Sequence, residues 1–210
     1  MKSYSIEDAV TSIIDIGKRM GLKNYTPGYS GNISVRTDSG VLMTVSGSSN
    51  GYLTDNDLVL IDYYGKNINS DKKATSEKFL HLKFYELRPD INAVIHVHPP
   101  ALTAFASAGQ DLMSPVMPEN IFYFGGIPLA EYGMPSSDDL VNKTSVYFKD
   151  YDAILMENHG VIIGSKTIED AYQKLEIAEE YAKTVIYARI LGGERVLPEK
   201  DVKDVLSLKG

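Results

Sequence analysis

A short apolar run, Val94-Ile95-His96-Val97-His98, stops at Pro99-Pro100, and no other stretch constrains the fold as strongly. Proline donates no backbone hydrogen bond and biases the residue before it away from the helical region, so a β-branched run of this length reads as a buried strand. Side chains at i and i+2 share a face of a strand. His96 and His98 therefore present their imidazoles together, while Val97 points into the core.

The chain has four histidines and no cysteine. His159 ends a second apolar run, Ala153-Ile154-Leu155-Met156, within Asn158-His159-Gly160, and Glu77 lies where a helix begins. A lone His-x-His is a weak signal, because a buried histidine is more often a hydrogen-bonded core group than a ligand. Three histidines at strand ends together with a glutamate form a stronger one. With no thiolate available, His96, His98, His159 and Glu77 offer the nitrogen and oxygen donors that suit Zn²⁺, with Mn²⁺ or Co²⁺ as alternatives. His81, four residues after Glu77, reads either as a partner behind the ligands or as a packed helix histidine, and stays outside the ligand set.

In chain order, Ser5-Ile6-Glu7-Asp8 reads as a cap before a helix to about Gly21, with Ile6, Val10, Ile13 and Met20 on one face. Strands are expected at Ile33–Arg36, Gly40–Val45 and Leu58–Asp62. Thr75 or Ser76 is the expected N-cap of a helix with Glu77 in its first turn and Leu80, Phe84 and Leu87 on its apolar face. After the histidine strand come a helix over about 100–108, a region over Ser114–Pro135 without a clear assignment, and a helix over Ser137–Phe148. Paired strands follow at Ala153–Met156 and Val161–Ile163. A long helix from Thr167 carries Ile168, Ala171, Leu175, Ala178, Ala182 and Val185 as a stripe and ends at Gly192-Gly193. Antiparallel-looking pairs with helices between them predict an α/β fold with a mixed sheet covered by helices, built as one domain over residues 1–210.

A net charge of −7 is the opposite of the basic footprint that nucleic acid or an anionic membrane selects, so neither is an expected partner. The first twenty residues mix charges with short apolar groups, and the expectation is a soluble cytoplasmic protein. An anionic substrate then needs local donors. Gly28, Gly31 and Asn32, next Ser46 and Gly47, and then Thr75 and Ser76 supply glycine-turn amides, hydroxyls and a helix start, which can bind a phosphate without lysine or arginine. Each alone reads as an ordinary turn or cap; only convergence on the metal makes them a site.

Gly28-Tyr29-Ser30-Gly31-Asn32-Ile33-Ser34-Val35-Arg36, Val45-Ser46-Gly47, Thr75-Ser76-Glu77 with His81, Val94-Ile95-His96-Val97-His98 and Asn158-His159-Gly160 resemble, in order and spacing, the class II aldolase/adducin family, and within it the aldolases acting on ketose 1-phosphates. The resemblance runs from the first helix to about Leu206. It implies a three-layer αβα fold with a mixed, largely antiparallel central sheet, and a homotetramer with active sites between subunits. It also implies Zn²⁺ on His96, His98 and His159, with Glu77 ligating the resting metal and serving as acid/base. Gly31, Asn32, Ser46, Gly47, Thr75 and Ser76 match phosphate-binding positions, Thr75 replacing a more usual serine.

The implied reaction is reversible cleavage of a ketose 1-phosphate to dihydroxyacetone phosphate and a small aldehyde through a metal-stabilised enediolate. Two features depart from the family pattern. Where a neighbouring subunit's tyrosine is expected, this chain reads Val116-Met117-Pro118-Glu119-Asn120-Ile121-Phe122-Tyr123, leaving Glu119 or Tyr123 for the distal substrate or proton-transfer role. The tail, Ser207-Leu208-Lys209-Gly210, lacks the expected aromatic residue. Within the family, methylthioribulose phosphate dehydration and sugar-acid phosphate decarboxylation are the alternatives. A pentulose phosphate epimerase is disfavoured by Glu77 standing where that pattern has aspartate, and a non-catalytic, adducin-like interaction domain is disfavoured by the intact ligand set.

Overall fold

The computed structural model describes residues 3–68 and 70–208, leaving Lys209 and Gly210 of the tail outside the described residues. Among these residues a seven-stranded sheet runs in the order β3-β2-β1-β4-β7-β6-β5. Its strands are β1 Asn32–Thr37, β2 Gly40–Thr44, β3 Leu58–Ile61, β4 Ala93–Val97, β5 Leu129–Ala130, β6 Ala153–Met156 and β7 Gly160–Ser165. Every pairing is antiparallel except that of β5 with β6. The histidine strand β4 is central, between β1 and β7.

Helices lie on both faces. On one side α1 Ile6–Leu22, α3 Pro100–Ser107 and α6 Ile168–Ile190 pack Ile13, Met20, Leu102, Phe105, Leu175 and Ala178 against Ile33, Val35, Ile95, Val97 and Val161. On the other, α2 Lys78–Leu87 and α5 Asp138–Ser145 place Leu80, Phe84 and Leu140 over Val94, Ile154 and Ile162. This is a three-layer αβα sandwich, and burial of each large aliphatic side chain stabilises it by about 1.5–3 kcal/mol. The predicted α6 stripe is buried at all six positions.

Local expectations hold with specific exceptions. Ser5 caps α1 by accepting from the Asp8 amide at 3.1 Å. The buried face of α1 runs Ala9, Ile13, Ile16 and Met20, and Ile6, one turn ahead of it, is 39% exposed. The N-cap of α2 is neither Thr75 nor Ser76 but Glu77, whose side chain makes no capping bond. The Thr75 hydroxyl instead accepts from the Glu77 amide at 3.4 Å, and the carboxylate turns inward. A capping or macrodipole role does not account for that glutamate.

The unassigned region contains α4 Pro118–Tyr123 and the two-residue β5. Neither is long enough to display a period. A last helix, α7 Glu199–Ser207, carries a short apolar stripe of Val202, Val205 and Leu206 but buries no residue fully.

Candidate active site and metal centre

The period-2 alternation of β4 sends Ala93, Ile95 and Val97 to the α1/α3/α6 side and Val94 and His96 to the α2 side. On β1 the same alternation leaves Asn32 and Ser34 beneath α2, and Asn32 pairs with His96 across the sheet. His98 lies just past β4, its amide held by the Tyr25 carbonyl at 3.1 Å. The tight connection between β6 and β7 brings in His159, with Asn158 in the left-handed region at φ 54°. One ligand atom from each of His96, His98 and His159 falls within 4.8 Å of the others. The ring centroids of His98 and His159 lie 4.7 Å from that of His96 and 5.4 Å apart.

Glu77 completes the group from α2. Its Oε2 is 3.2 Å from His96 Nε2 and its Oε1 is 3.4 Å from His159 Nε2. The Asn32 amide donates to Oε2 at 2.9 Å. Burial acts to raise the Glu77 pKa, but His96, His159 and the Asn32 bond outweigh it, so the carboxyl sits below its ordinary value. Burial and the neighbouring imidazoles push His98 down to about 3 and His159 to about 4, keeping both rings neutral at neutral pH. Neutral imidazole is the form that ligates metal.

The residues fit a divalent cation. His96 Nε2, His98 Nδ1, His159 Nδ1 and Glu77 Oε1 are buried without a hydrogen-bond partner among the described residues. A single ion taking one nitrogen from each ring would compensate His96 Nε2 and Glu77 Oε1, on side chains that face each other across the cluster. Three imidazoles and one carboxylate match the donor preferences of zinc.

Close backbone approaches hold the candidate ligands in place. Gly31 has φ 76°, and a Cβ there would stand 2.7 Å from the His96 carbonyl oxygen. At Gly160 a Cβ would meet His98 Cδ2 and the Val97 carbonyl oxygen, both at 2.6 Å. Helix α3 starts directly after the ligand strand, with Pro99 unable to cap it by side chain. Glu179 of α6, fully buried, does so from across the core, accepting from Ala101 N at 3.1 Å and Leu102 N at 3.0 Å.

The phosphate-binding candidates gather at the same end of the sheet. The β1/β2 register places the start of β1 beside the end of β2, and Val45 bridges Ala74. Ser46 donates its amide to Lys73 while Thr75 donates to Thr44, which joins the Ser46-Gly47 turn to Thr75-Ser76. Ser46, Gly47 and Ser76 are exposed, whereas Asn32 and Thr75 are buried. Glu119 and Tyr123 lie on α4, both exposed, and α4 packs against α6 and α7. Neither belongs to the histidine and glutamate group described above.

His81 is fully buried and bonds Asn32 Oδ1 through Nε2 at 2.5 Å, so it stands behind the candidate ligands rather than among them. Sequence reasoning missed Ser34, Tyr85, Gly160 and Glu179 as site-building residues. The first two were detectable as positions two residues after Asn32 and four after His81. Glu179 had only the oddity of an acid beside the apolar stripe.

A family model described as Class II Aldolase and Adducin N-terminal domain matches residues 11–186. An L-fuculose phosphate aldolase of Methanocaldococcus jannaschii is 35% identical over 173 residues, covering 82% of this chain and 93% of its own. A 3-oxo-tetronate 4-phosphate decarboxylase of Haemophilus influenzae is 30% identical over 199 residues, covering 92% and 93%. A solved L-fuculose 1-phosphate aldolase superposes with a TM-score of 0.90 at 25% identity, covering 98% of this chain and 97% of that one. With the family match running from α1 into α6 and the sheet order, helical layers and histidine cluster in place, the chain belongs to the class II aldolase and adducin family.

Proposed function

We propose that the protein is a zinc-dependent lyase of the aldolase type, cleaving a fuculose 1-phosphate-like ketose 1-phosphate reversibly to dihydroxyacetone phosphate and a small aldehyde. The observation that carries this reading is the carboxylate of Glu77 lying between His96 and His159, with Oε1 otherwise unpartnered. A bound divalent cation supplies Lewis-acid charge where negative charge develops on the substrate oxygens as the carbon–carbon bond breaks. His96, His98 and His159 would hold it.

The remaining work falls to this chain's own groups. Asn32, Ser46, Gly47, Thr75 and Ser76, with the turn at Gly31, would supply amide and hydroxyl donors for a phosphate. Glu77, displaced toward the substrate, takes and returns the proton at the donor-fragment carbon, and Asn32 keeps its oxygen aimed. Glu119 or Tyr123 would reach the aldehyde end only from a neighbouring subunit of a homotetramer.

A second reading is decarboxylation of a sugar-acid phosphate. It is supported by the decarboxylase relative, which matches 92% of this chain, and by an exposed acid, Glu119, on α4. Both reactions leave negative charge on the same fragment. They differ in the group that departs.

Metal analysis of the purified protein, combined with a panel of ketose phosphates and sugar-acid phosphates, separates them. Dihydroxyacetone phosphate and an aldehyde formed from a ketose 1-phosphate, with the activity lost on chelation and restored by zinc, are the expected result. Carbon dioxide released together with dihydroxyacetone phosphate from a sugar-acid phosphate, with no cleavage of any ketose 1-phosphate, overturns the aldolase reading in favour of the second. Full activity in metal-free protein overturns both.

A further inference from the structure

Behind Glu77 lies a ladder of buried polar groups. Helix α2 and the residue before it present Glu77, His81 and Tyr85 at steps of four, while β1 presents Asn32 and Ser34 at a step of two. Four residues of helix advance about 6 Å and two residues of strand about 6.7 Å, so the two rows mesh. Contact alternates between them. Asn32 Nδ2 meets Glu77 Oε2 at 2.9 Å, Asn32 Oδ1 meets His81 Nε2 at 2.5 Å, His81 Nδ1 meets Ser34 Oγ at 2.7 Å, and Ser34 Oγ meets the Tyr85 hydroxyl at 2.8 Å. Ser34 and His81 are fully buried, and Tyr85 is 2% exposed. Arg36, the next residue of that strand face, closes the far end, its Nη2 donating to the Tyr85 carbonyl at 3.0 Å and its guanidinium lying over the Tyr85 ring.

The donors and acceptors admit one consistent polarity. A carboxylate only accepts, so the Asn32 amide group donates to Glu77 and its carbonyl must accept from His81. His81 therefore carries its proton on Nε2. Burial holds this ring neutral, its pKa pushed down to about 3, which leaves Nδ1 as an acceptor for the Ser34 hydroxyl. The Ser34 oxygen then accepts from Tyr85. Reversing the Asn32 amide would break this order at every link and aim a carbonyl oxygen at the carboxylate.

We propose that His81, Ser34 and Tyr85 are positioning residues that lock the Asn32 amide with its nitrogen toward Glu77. They thereby fix the carboxylate for proton transfer and leave the second Asn32 N–H free to face a substrate oxyanion. This inference rests on the reading of Glu77 as the acid/base group. His81, Ser34 and Tyr85 are distinct from the candidate metal ligands, and no member of the ladder beyond Asn32 touches substrate.

Two measurements test it independently. Proteins labelled with ¹⁵N-histidine, with and without added zinc, are expected to show His81 as a single Nε2–H tautomer that keeps that form from pH 5 to pH 8. Ser34→Ala and Tyr85→Phe, which alter one atom group each, are expected to lose that single-tautomer signature while remaining folded. An Nδ1–H or mixed tautomer in the unaltered protein overturns the proposal, and this readout stands even if no cleavage substrate is found. In the kinetic arm, His81→Leu is expected to lower kcat about 10- to 100-fold, with a smaller effect on KM and on zinc content. His81→Gln, which keeps an N–H donor toward Asn32, is expected to recover most of it. A folded His81→Leu protein with unchanged kcat, or equal losses in the Leu and Gln variants, overturns the positioning role.

Discussion

Glu77 Oε2 stands 3.2 Å from His96 Nε2, while the other nitrogen of the same ring, Nδ1, is engaged with the Val161 carbonyl at 2.9 Å. A carbonyl only accepts, so Nδ1 donates to it and Nε2 is the nitrogen that faces the carboxylate. Two electron-rich atoms in a buried site call for a positive charge between or beside them. The sheet thus decides which nitrogen of this candidate ligand faces Glu77, and α2 decides how close the carboxylate comes.

Glu77→Gln separates binding from chemistry. The amide keeps a carbonyl oxygen for the cation and its near-isosteric shape, but it neither accepts nor returns a proton. Zinc content by elemental analysis is expected to stay within a few-fold of the unaltered protein, with turnover falling by at least about 100-fold. Wild-type turnover in this variant refutes the acid/base assignment.

Gly160→Ala tests the packing that sets His98. The added methyl carbon would overlap the His98 ring and the Val97 carbonyl, so one of them must move. Overpacking of this kind costs about 1–3 kcal/mol, measurable by denaturant unfolding. Zinc affinity measured by chelator competition is expected to fall along with it.

Removing the remote cap at Glu179 exposes its role in holding α3 behind the ligand strand. Glu179→Ala leaves the Ala101 and Leu102 amides unpaired in the core and should cost about 2–3 kcal/mol in unfolding experiments. Glu179→Gln, which keeps one acceptor, should lose less. An unchanged urea midpoint in the alanine variant would show that the cap is dispensable.

Stability of the metal-free protein should decline in acid. The folded-state pKa of His81 is lowered by burial from 6.5 to about 3, so the unfolded chain binds more protons across that interval. The stability that depends on keeping His81 neutral is present above the unfolded value and is lost as pH falls from about 6.5 toward the folded value. His98 and His159 are lowered too and act with the same sign. Urea midpoints recorded from pH 7.5 down to pH 4 should show a shallower decline for His81→Gln than for the unaltered protein.

The fold was legible wherever a period was long enough to count. The six-position stripe of α6, the alternation in β1 and β4 and the paired runs around Asn158-His159-Gly160 reflect rules that act within a few residues. The two-residue β5 and the six-residue α4 escaped because their positions depend on contacts from elsewhere in the chain, whereas the one-turn stripe of α7, Val202, Val205 and Leu206, was present in the sequence and went unread. At α2, local rules favoured a hydroxyl cap and a glutamate serving the macrodipole. The competing attraction of the histidine cluster and Asn32 drew the side chain inward instead.

The sequence by itself determined the donor chemistry: two imidazoles on one face of a strand, a third at a turn, a nearby carboxylate and no thiol. Residue type and spacing are chemical facts that need no partner. Only the tertiary structure decided that Glu77 lies between His96 and His159, that Gly160 gives His98 its space, and that His81 stands behind Asn32 instead of joining the ligands. Those relations join residues tens of positions apart. They arise where α2 lies across β1 and β4, and the near match of helix and strand repeats brings each polar group opposite the next.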